Sequence, residues 1–256
     1  MKIRAIILSA LILCGISAVI MYSRAAQPQQ KSSVITQAIN DKNTPMVIKN
    51  LILKMKEQME VNDDQFPELI KEVENYTNSC ADSASVAVLH SMLAEMYQNY
   101  FQRNQWTINQ RTQLSGYIPE DIRVWTSNLF TDKIKEEIDL SLRPTALLQN
   151  APVSKFKDIL EIGKDSQTLR PTLYEFLAFR ALDIQPTVQI YKDLIAFQNK
   201  EPNMKSVLLT ELDYLRFLYG DKRDKESFEA YMNALDELYR NLASQNYAAE
   251  ILIAKL

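Results

Sequence analysis

Apolar residues recur at steps of three and four through most of this chain, and almost nothing in it can break such a period. Val86, Leu89, Leu93, Met96 and Tyr100 form one stripe, and Phe228, Tyr231, Leu235, Leu238 and Leu242 form another. That spacing puts every apolar side chain on one face of an α-helix. Glycine, the usual residue of tight turns and phosphate-cradling loops, occurs only 4 times in 256 residues, against roughly 7% in an average protein. No run of alternating residues bounded by turn dipeptides argues for a sheet. The expected fold is all-α. Helices joined by short turns pack antiparallel, so the chain should form an irregular stack of helical hairpins. It would be α-solenoid-like or tetratricopeptide-like in style, but no fixed repeat survives comparison along the sequence.

The expected helical domain covers residues 45–256. Thr44-Pro45 is a start signal, a capping threonine with proline at the first helical position. Further helices are expected from about Asp64 to Tyr76 and from Asp82 to Gln105. Residues 106–125, "WTINQRTQLSGYIPEDIRVW", break the period and read as an ordered crossover pinned at its ends by Trp106 and Trp125; a division into two sub-bundles would fall here. Thr126 can cap the next helix. Prolines after Arg143 and Ala151 frame short pieces. Helices then follow over Thr172–Asp183, Thr187–Gln198, Lys205–Tyr219 and Asp224–Leu242, with Gly220 suited to a left-handed helix end.

Residues 1–26 carry Lys2 and Arg4, an apolar run from Ala5 to Tyr22, and small residues around Arg24. This is the pattern of a secretory signal cut near Ala25 or Ala26; an uncleaved membrane anchor is the competing reading. Cys14, in "LILCG", raises lipid attachment as a third, although Leu13 stands where lipoprotein signals carry a small residue. The body is expected to be exported to the periplasm or cell envelope, touching membrane only through this segment. Residues 27–44 are polar and read as a linker. Cys80 is then a lone thiol, unable to form an internal disulfide. A net charge of -3 with interspersed signs offers no basic stripe, so nucleic acid is not an expected partner.

Few residues suggest chemistry. His90 is the single histidine, and the nearest acid on its face is Glu95, so it reads as a half-buried histidine on a packed helix. Glu226-Ser227 resembles the dipeptide of helical lytic transglycosylases, yet lacks the glycine-rich segment that follows there. A glutamate in a first helical turn is favoured by the macrodipole anyway. Tyr97, Tyr100, Tyr174, Tyr191, Tyr219 and Tyr231 lie on helix stripes and read as core before groove. In "LRPTLYEFLAFRALDI", residues 169–184, Thr172 and Glu175 fit a capping box with Pro171 and Phe176 at the hydrophobic-staple positions. Arg180 on that helix should either reach water or pair with an acid on a neighbour. No catalytic, metal or cofactor residue is expected.

Three stretches taken in order, "VLHSMLAEMYQNYF" with its following "QW" and "QRT", "DIRVWTSNLFTDKI" and "LRPTLYEFLAFRALD", carry a family resemblance. Together they resemble the helical N-terminal region of the very large alpha-2-macroglobulin family proteins of Bacteroidetes. The resemblance covers roughly residues 45–256. It implies an exported protease trap with macroglobulin-like β-sandwich domains, a bait region and often a thioester in a Cys-Gly-Glu-Gln motif. Here Cys14 is followed by Gly15-Ile16-Ser17 and Cys80 by Ala81-Asp82-Ser83, so no thioester residue carries over. What remains is a non-catalytic helical module in a spacing or docking role, partnered by downstream macroglobulin domains or an envelope protein. The apolar "AAEILIAKL" adds the expectation that the natural chain continues. The alternatives are a free-standing hairpin scaffold holding a peptide or envelope protein in a tyrosine-lined concave face, and a helical carbohydrate-active enzyme using Glu226.

Intact mass of the exported protein separates the three fates of the N-terminal segment. The expected outcome is a chain beginning near Ala26; retention of residue 1, or added lipid mass on Cys14, would replace the cleaved signal by an anchor or a lipoprotein.

Overall fold

The computed structural model describes residues 35, 38–39, 43–61, 65–112, 117–160, 163, 165–200, 203–220, 224–243, 245 and 247–255. The segment 1–26 with Cys14 and most of 27–44 lie outside these residues. Among the described residues no helix is long and apolar enough to cross a membrane.

The first half is built around one long helix. Helix α1 spans Thr44–Val61, α2 Phe66–Ser79 and α3 Ser83–Ile108. The Asn43 carboxamide accepts from the Met46 amide at 3.2 Å, so the α1 cap lies one residue before the expected Thr44, and Pro45 falls in the first turn where no amide is needed. Within the segment read as a polar linker, Ile35 and Ala38 are helical and buried in the main core.

Helix α3 starts where Asp82 accepts from Ser85 N at 3.0 Å and buries Leu89, Leu93, Met96, Tyr97, Tyr100 and Ile108. It continues past the expected end, which carries Trp106 to the solvent side; that ring is 82% exposed and pins nothing. The crossover is held instead by Trp125, which stacks on Tyr97 at 5.7 Å and donates from Nε1 to the Pro119 carbonyl at 2.6 Å. Arg111 donates to the Trp125 carbonyl at 2.7 Å. Ile108, Ile122, Trp125 and Phe130 therefore share one buried cluster, so among the described residues packing continues across this segment.

Helix α4 spans Ser127–Ser141 and α5 Thr145–Asn150, followed by a 3-10 turn at Val153–Phe156 and the short α6, Ser166–Leu169. Then come α7 Leu173–Ile184, α8 Val188–Gln198, α9 Met204–Tyr219, α10 Lys225–Leu242 and α11 Ala249–Ala254. Neighbours in sequence pack on each other from α1 to α4 and again from α7 to α11, while α7 also lies against α3 and α5. The fold is all-α, an irregular stack of helical hairpins. Extended pairing among the described residues is a single bridge between Pro152 and Thr172, closed by Val153 N to Pro171 O at 3.0 Å and Leu173 N to Ala151 O at 2.8 Å.

That bridge delivers the chain into α7. Thr172 Oγ1 accepts from Glu175 N at 3.2 Å and Glu175 Oε2 accepts from Thr172 N at 3.1 Å, a complete capping box. The staple positions serve other ends: Pro171 is exposed, its carbonyl committed to the bridge, and Phe176 is half-buried with the Arg180 guanidinium 5.9 Å from its ring centre. Arg180 reaches Glu95 at 2.6 Å and Ser91 at 2.9 Å on α3. The buried face of α7 is Leu173, Tyr174, Leu177, Ala178, Ala181 and Leu182. Gly220, after α9, is right-handed at φ -65°; a Cβ there would collide with the Arg216 carbonyl oxygen, so close approach and not a left-handed turn is what glycine serves.

Leu177 is fully buried, and Leu177→Ala should cost about 2–5 kcal/mol in urea unfolding. Phe176→Ala should cost less than Leu177→Ala, and Thr172→Ala about 1 kcal/mol. Equal midpoints for Leu177→Ala and the parent would overturn the placement of this face.

Candidate functional site

Helix α3 is flanked by α4 on one side and α7 on another, and α8 packs on α7 and α9. This arrangement leaves α4 and α8 facing each other across a cleft of about 900 Å³. Its buried floor is apolar: Ile138 from α4, Tyr174 from α7, Ile190 and Phe197 from α8. Its rims are polar. Lys135, Asp139 and Arg143 step by four along and just beyond α4, and Gln189, Asp193 and Lys200 follow α8. The α4 rim presents one charged group per turn because four residues is close to one helical turn.

Tyr174 is the distinctive group on the floor. It is 4% exposed and meets Phe197 edge-on, with ring centres 5.2 Å apart. Its hydroxyl has no hydrogen-bond partner among the described residues and is not a buried unsatisfied atom, so the oxygen keeps some contact with solvent through the cleft. Burial, and then the charge of Asp193, push its pKa up to about 12, so the phenol is a hydrogen-bond donor across the whole physiological range.

A buried polar chain behind this aromatic pair sets its geometry. Glu175, next to Tyr174, accepts from Thr172 through Oε2 and from Gln198 Nε2 at 3.2 Å through Oε1. Gln198, next to Phe197, in turn has Thr210 Oγ1 of α9 at 2.8 Å from its Oε1. Glu175, Gln198 and Thr210 are 3%, 1% and 0% exposed, so this contact is made in a low-dielectric interior where it holds α7, α8 and α9 in one register. The capping box was legible in sequence; Gln198 and Thr210 were not, although a glutamine and a threonine on otherwise apolar stripes are the signal that could have found them.

The other residues singled out lie elsewhere. His90 pairs with Glu137 of α4, Nδ1 to Oε2 at 2.6 Å, and not with Glu95. Lys133 meets the other oxygen of Glu137 at 2.9 Å; burial alone would push the Lys133 pKa down, but Glu137 and Glu136 outweigh it and raise the value. This triad ties α4 to α3. Cys80 sits in the turn between α2 and α3, its Sγ 3.9 Å from the Asp82 carbonyl. Glu226 is exposed on the first turn of α10 and takes no part in lining the cleft. Of the six tyrosines on stripes, Tyr97 donates to Glu74 at 2.7 Å, Tyr100 packs on Phe130 and Tyr191 on Tyr214 and Phe217, Tyr219 meets Tyr231, and Tyr174 faces the cleft. No group of three or more histidine, cysteine, aspartate or glutamate side chains among the described residues is placed to hold a metal ion. No protein-family model, no curated protein and no solved structure matches the chain.

The raised Tyr174 pKa fixes a pH response. The unfolded chain loses this proton near its ordinary value of 10.0 and the folded chain at about 12. The stability Tyr174 contributes is therefore present below about pH 10 and is lost as pH rises to about 12. Urea midpoints should fall across that window, and fall less in Tyr174→Phe. Tyr97 and Tyr76, whose pKa values burial also raises, contribute to the slope that remains. Identical slopes in parent and variant would place the Tyr174 phenol in water.

Proposed function

We propose that this chain is a non-catalytic docking module of an exported alpha-2-macroglobulin-like envelope protein, and that it holds a protein partner in the cleft between α4 and α8. The observation that carries the docking role is the cleft itself, with an apolar floor, charged rims and the Tyr174 phenol opening onto it. A site with one donor on its floor and no assembled nucleophile, acid or base suits recognition better than turnover.

The family context rests on the resemblance. The three stretches that carry the resemblance converge on one core: Tyr97 of the first stacks on Trp125 of the second, and Arg180 of the third pairs with Glu95 of the first. The third stretch also supplies Tyr174, so the most particular segment of the sequence is the one that builds the cleft floor.

Two measurements test this. A photo-crosslinking residue at Gln189, installed in the full chain in its native host, should give one discrete adduct with a macroglobulin-type polypeptide or another envelope protein; the same group at exposed Glu229 of α10 should not. Sequencing the coding region beyond codon 256 should reveal macroglobulin-like domains. No adduct at Gln189 would sink the docking role, and a coding region without such domains would sink the family context while leaving the cleft as a free-standing scaffold's site.

A further inference from the structure

We propose that α10 and α11 leave α9 together, as one opening unit, while α1–α9 stay folded. The hairpin is then a detachable cover over an apolar stripe of α9. The cleft, lined from residues 135–200, takes no part in this opening.

The two sides of α9 are held differently. Toward the main core, Thr210 Oγ1 meets Gln198 Oε1 at 2.8 Å, Ser206 Oγ donates to the Leu169 carbonyl at 2.9 Å, and Tyr214 and Phe217 pack on Tyr191. Pulling α9 away there breaks bonds to buried polar groups, which costs more than parting apolar surfaces of the same area. Toward the hairpin the contact is apolar. Leu208 and Leu212 of α9 are buried with Leu235 of α10 and Ile251 of α11, four residues in all, and Tyr219 meets Tyr231 at 6.3 Å. Such contact is non-directional and scales with the area removed from water, so four buried side chains hold far less firmly than the main cluster around α3.

Polar contacts tie the hairpin to itself. Tyr231 Oη donates to the Ala254 carbonyl at 3.4 Å, and Lys255 both pairs with Asp236 and lies 5.6 Å from the Tyr239 ring centre. These contacts join the two helices, so α10 and α11 part from α9 as one body. Little is lost in leaving, since Phe228, Leu252 and Ile253 already face water at 58%, 46% and 61% exposure. Short helices draw most of their stability from packing, so α10 and α11 exchange their amide protons once they are off α9. What the opening uncovers is the stripe of Leu208, Leu212 and Leu215, which step by four and three along one face of α9.

The test is native-state hydrogen exchange of the full chain, read by mass spectrometry in urea below the global transition. Amides of α10 and α11 should exchange through an opening populated at least about tenfold more than the one that releases α3, α4 and α7. Its urea dependence should be shallower, because less surface is exposed. Leu235→Ala should raise exchange in α10 and α11 at least about tenfold further while protection in α3 and α7 stays where it was. The dye 1-anilinonaphthalene-8-sulfonate, which brightens on exposed apolar surface, should brighten more with Leu235→Ala than with the parent. Exchange of α10 and α11 only together with α3, at one urea slope, overturns the separate unit, as does an equal loss of protection throughout the chain in Leu235→Ala. Opening of either helix without the other overturns the hairpin as one body. Faster exchange in Leu235→Ala with no added dye signal overturns the uncovering of the α9 stripe.

Discussion

A carboxylate taken almost wholly out of water must have its lone pairs met, and Glu175 imposes that requirement on three helices at once. One of its oxygens closes the cap of α7 and the other accepts from Gln198 of α8, whose own carbonyl is reached by Thr210 of α9. Moving an ion from water to a protein interior costs several kcal/mol unless such partners are supplied. Any shift of α8 along α7 breaks a bond to a buried charge, so the register of the two helices is held far more stiffly than greasy packing alone would hold it. Arg170 is the nearby cation. Burial against Phe179, with its guanidinium carbon 3.6 Å from the ring centre, pushes its pKa down, while Asp183, Asp213 and Glu175 act to keep it charged. The cleft is the outward consequence of this clamp, because Tyr174 and Phe197 are the immediate neighbours of Glu175 and Gln198.

What could be read from sequence follows from how local each interaction is. The capping box is complete within four residues, so "TLYE" declares it. The apolar stripes are periodic, so the helices and the all-α class are declared as well. Gln198 and Thr210 act across space on residues 23 and 12 positions away, and nothing in a single sequence distinguishes a polar residue that faces a neighbour from one that faces water. His90 shows the same limit: its acid comes from α4, 47 residues on, while a reading confined to its own helix finds only Glu95. The cleft was likewise hidden, because its rims come from helices that are not adjacent in the chain.

Trp106 was misread for a different reason, one of phase. A helix turns about 100° per residue, so Trp106, six residues after buried Tyr100, lies about 240° around from it, while Ile108, eight residues after, returns to about 80°. Continuing the α3 stripe by two more residues would have placed Ile108 inside and Trp106 outside, as the structure has them. Tryptophan's size made it look like an anchor, but position on the helix decides burial before side-chain volume does.

Helix α9 shows how such a stack grows. Its Tyr214 and Phe217 pack toward the main core against Tyr191, whereas Leu208 and Leu212 belong to a second cluster shared with Leu235 and Ile251 of α10 and α11. A helix that divides its apolar surface between two neighbours couples them only through itself, so stability in a stack is a sum of nearest-neighbour interfaces. The interface beyond α9 is thin: Leu235 is the single buried residue of α10, and Phe228, Leu252 and Ile253 are exposed. Local opening is therefore easiest there and hardest around α3, α4 and α7. The cleft walls belong to the stiff end, so the cleft keeps its shape while the far end of the stack opens. The clamp around the buried Glu175 is also what keeps the cleft in one shape.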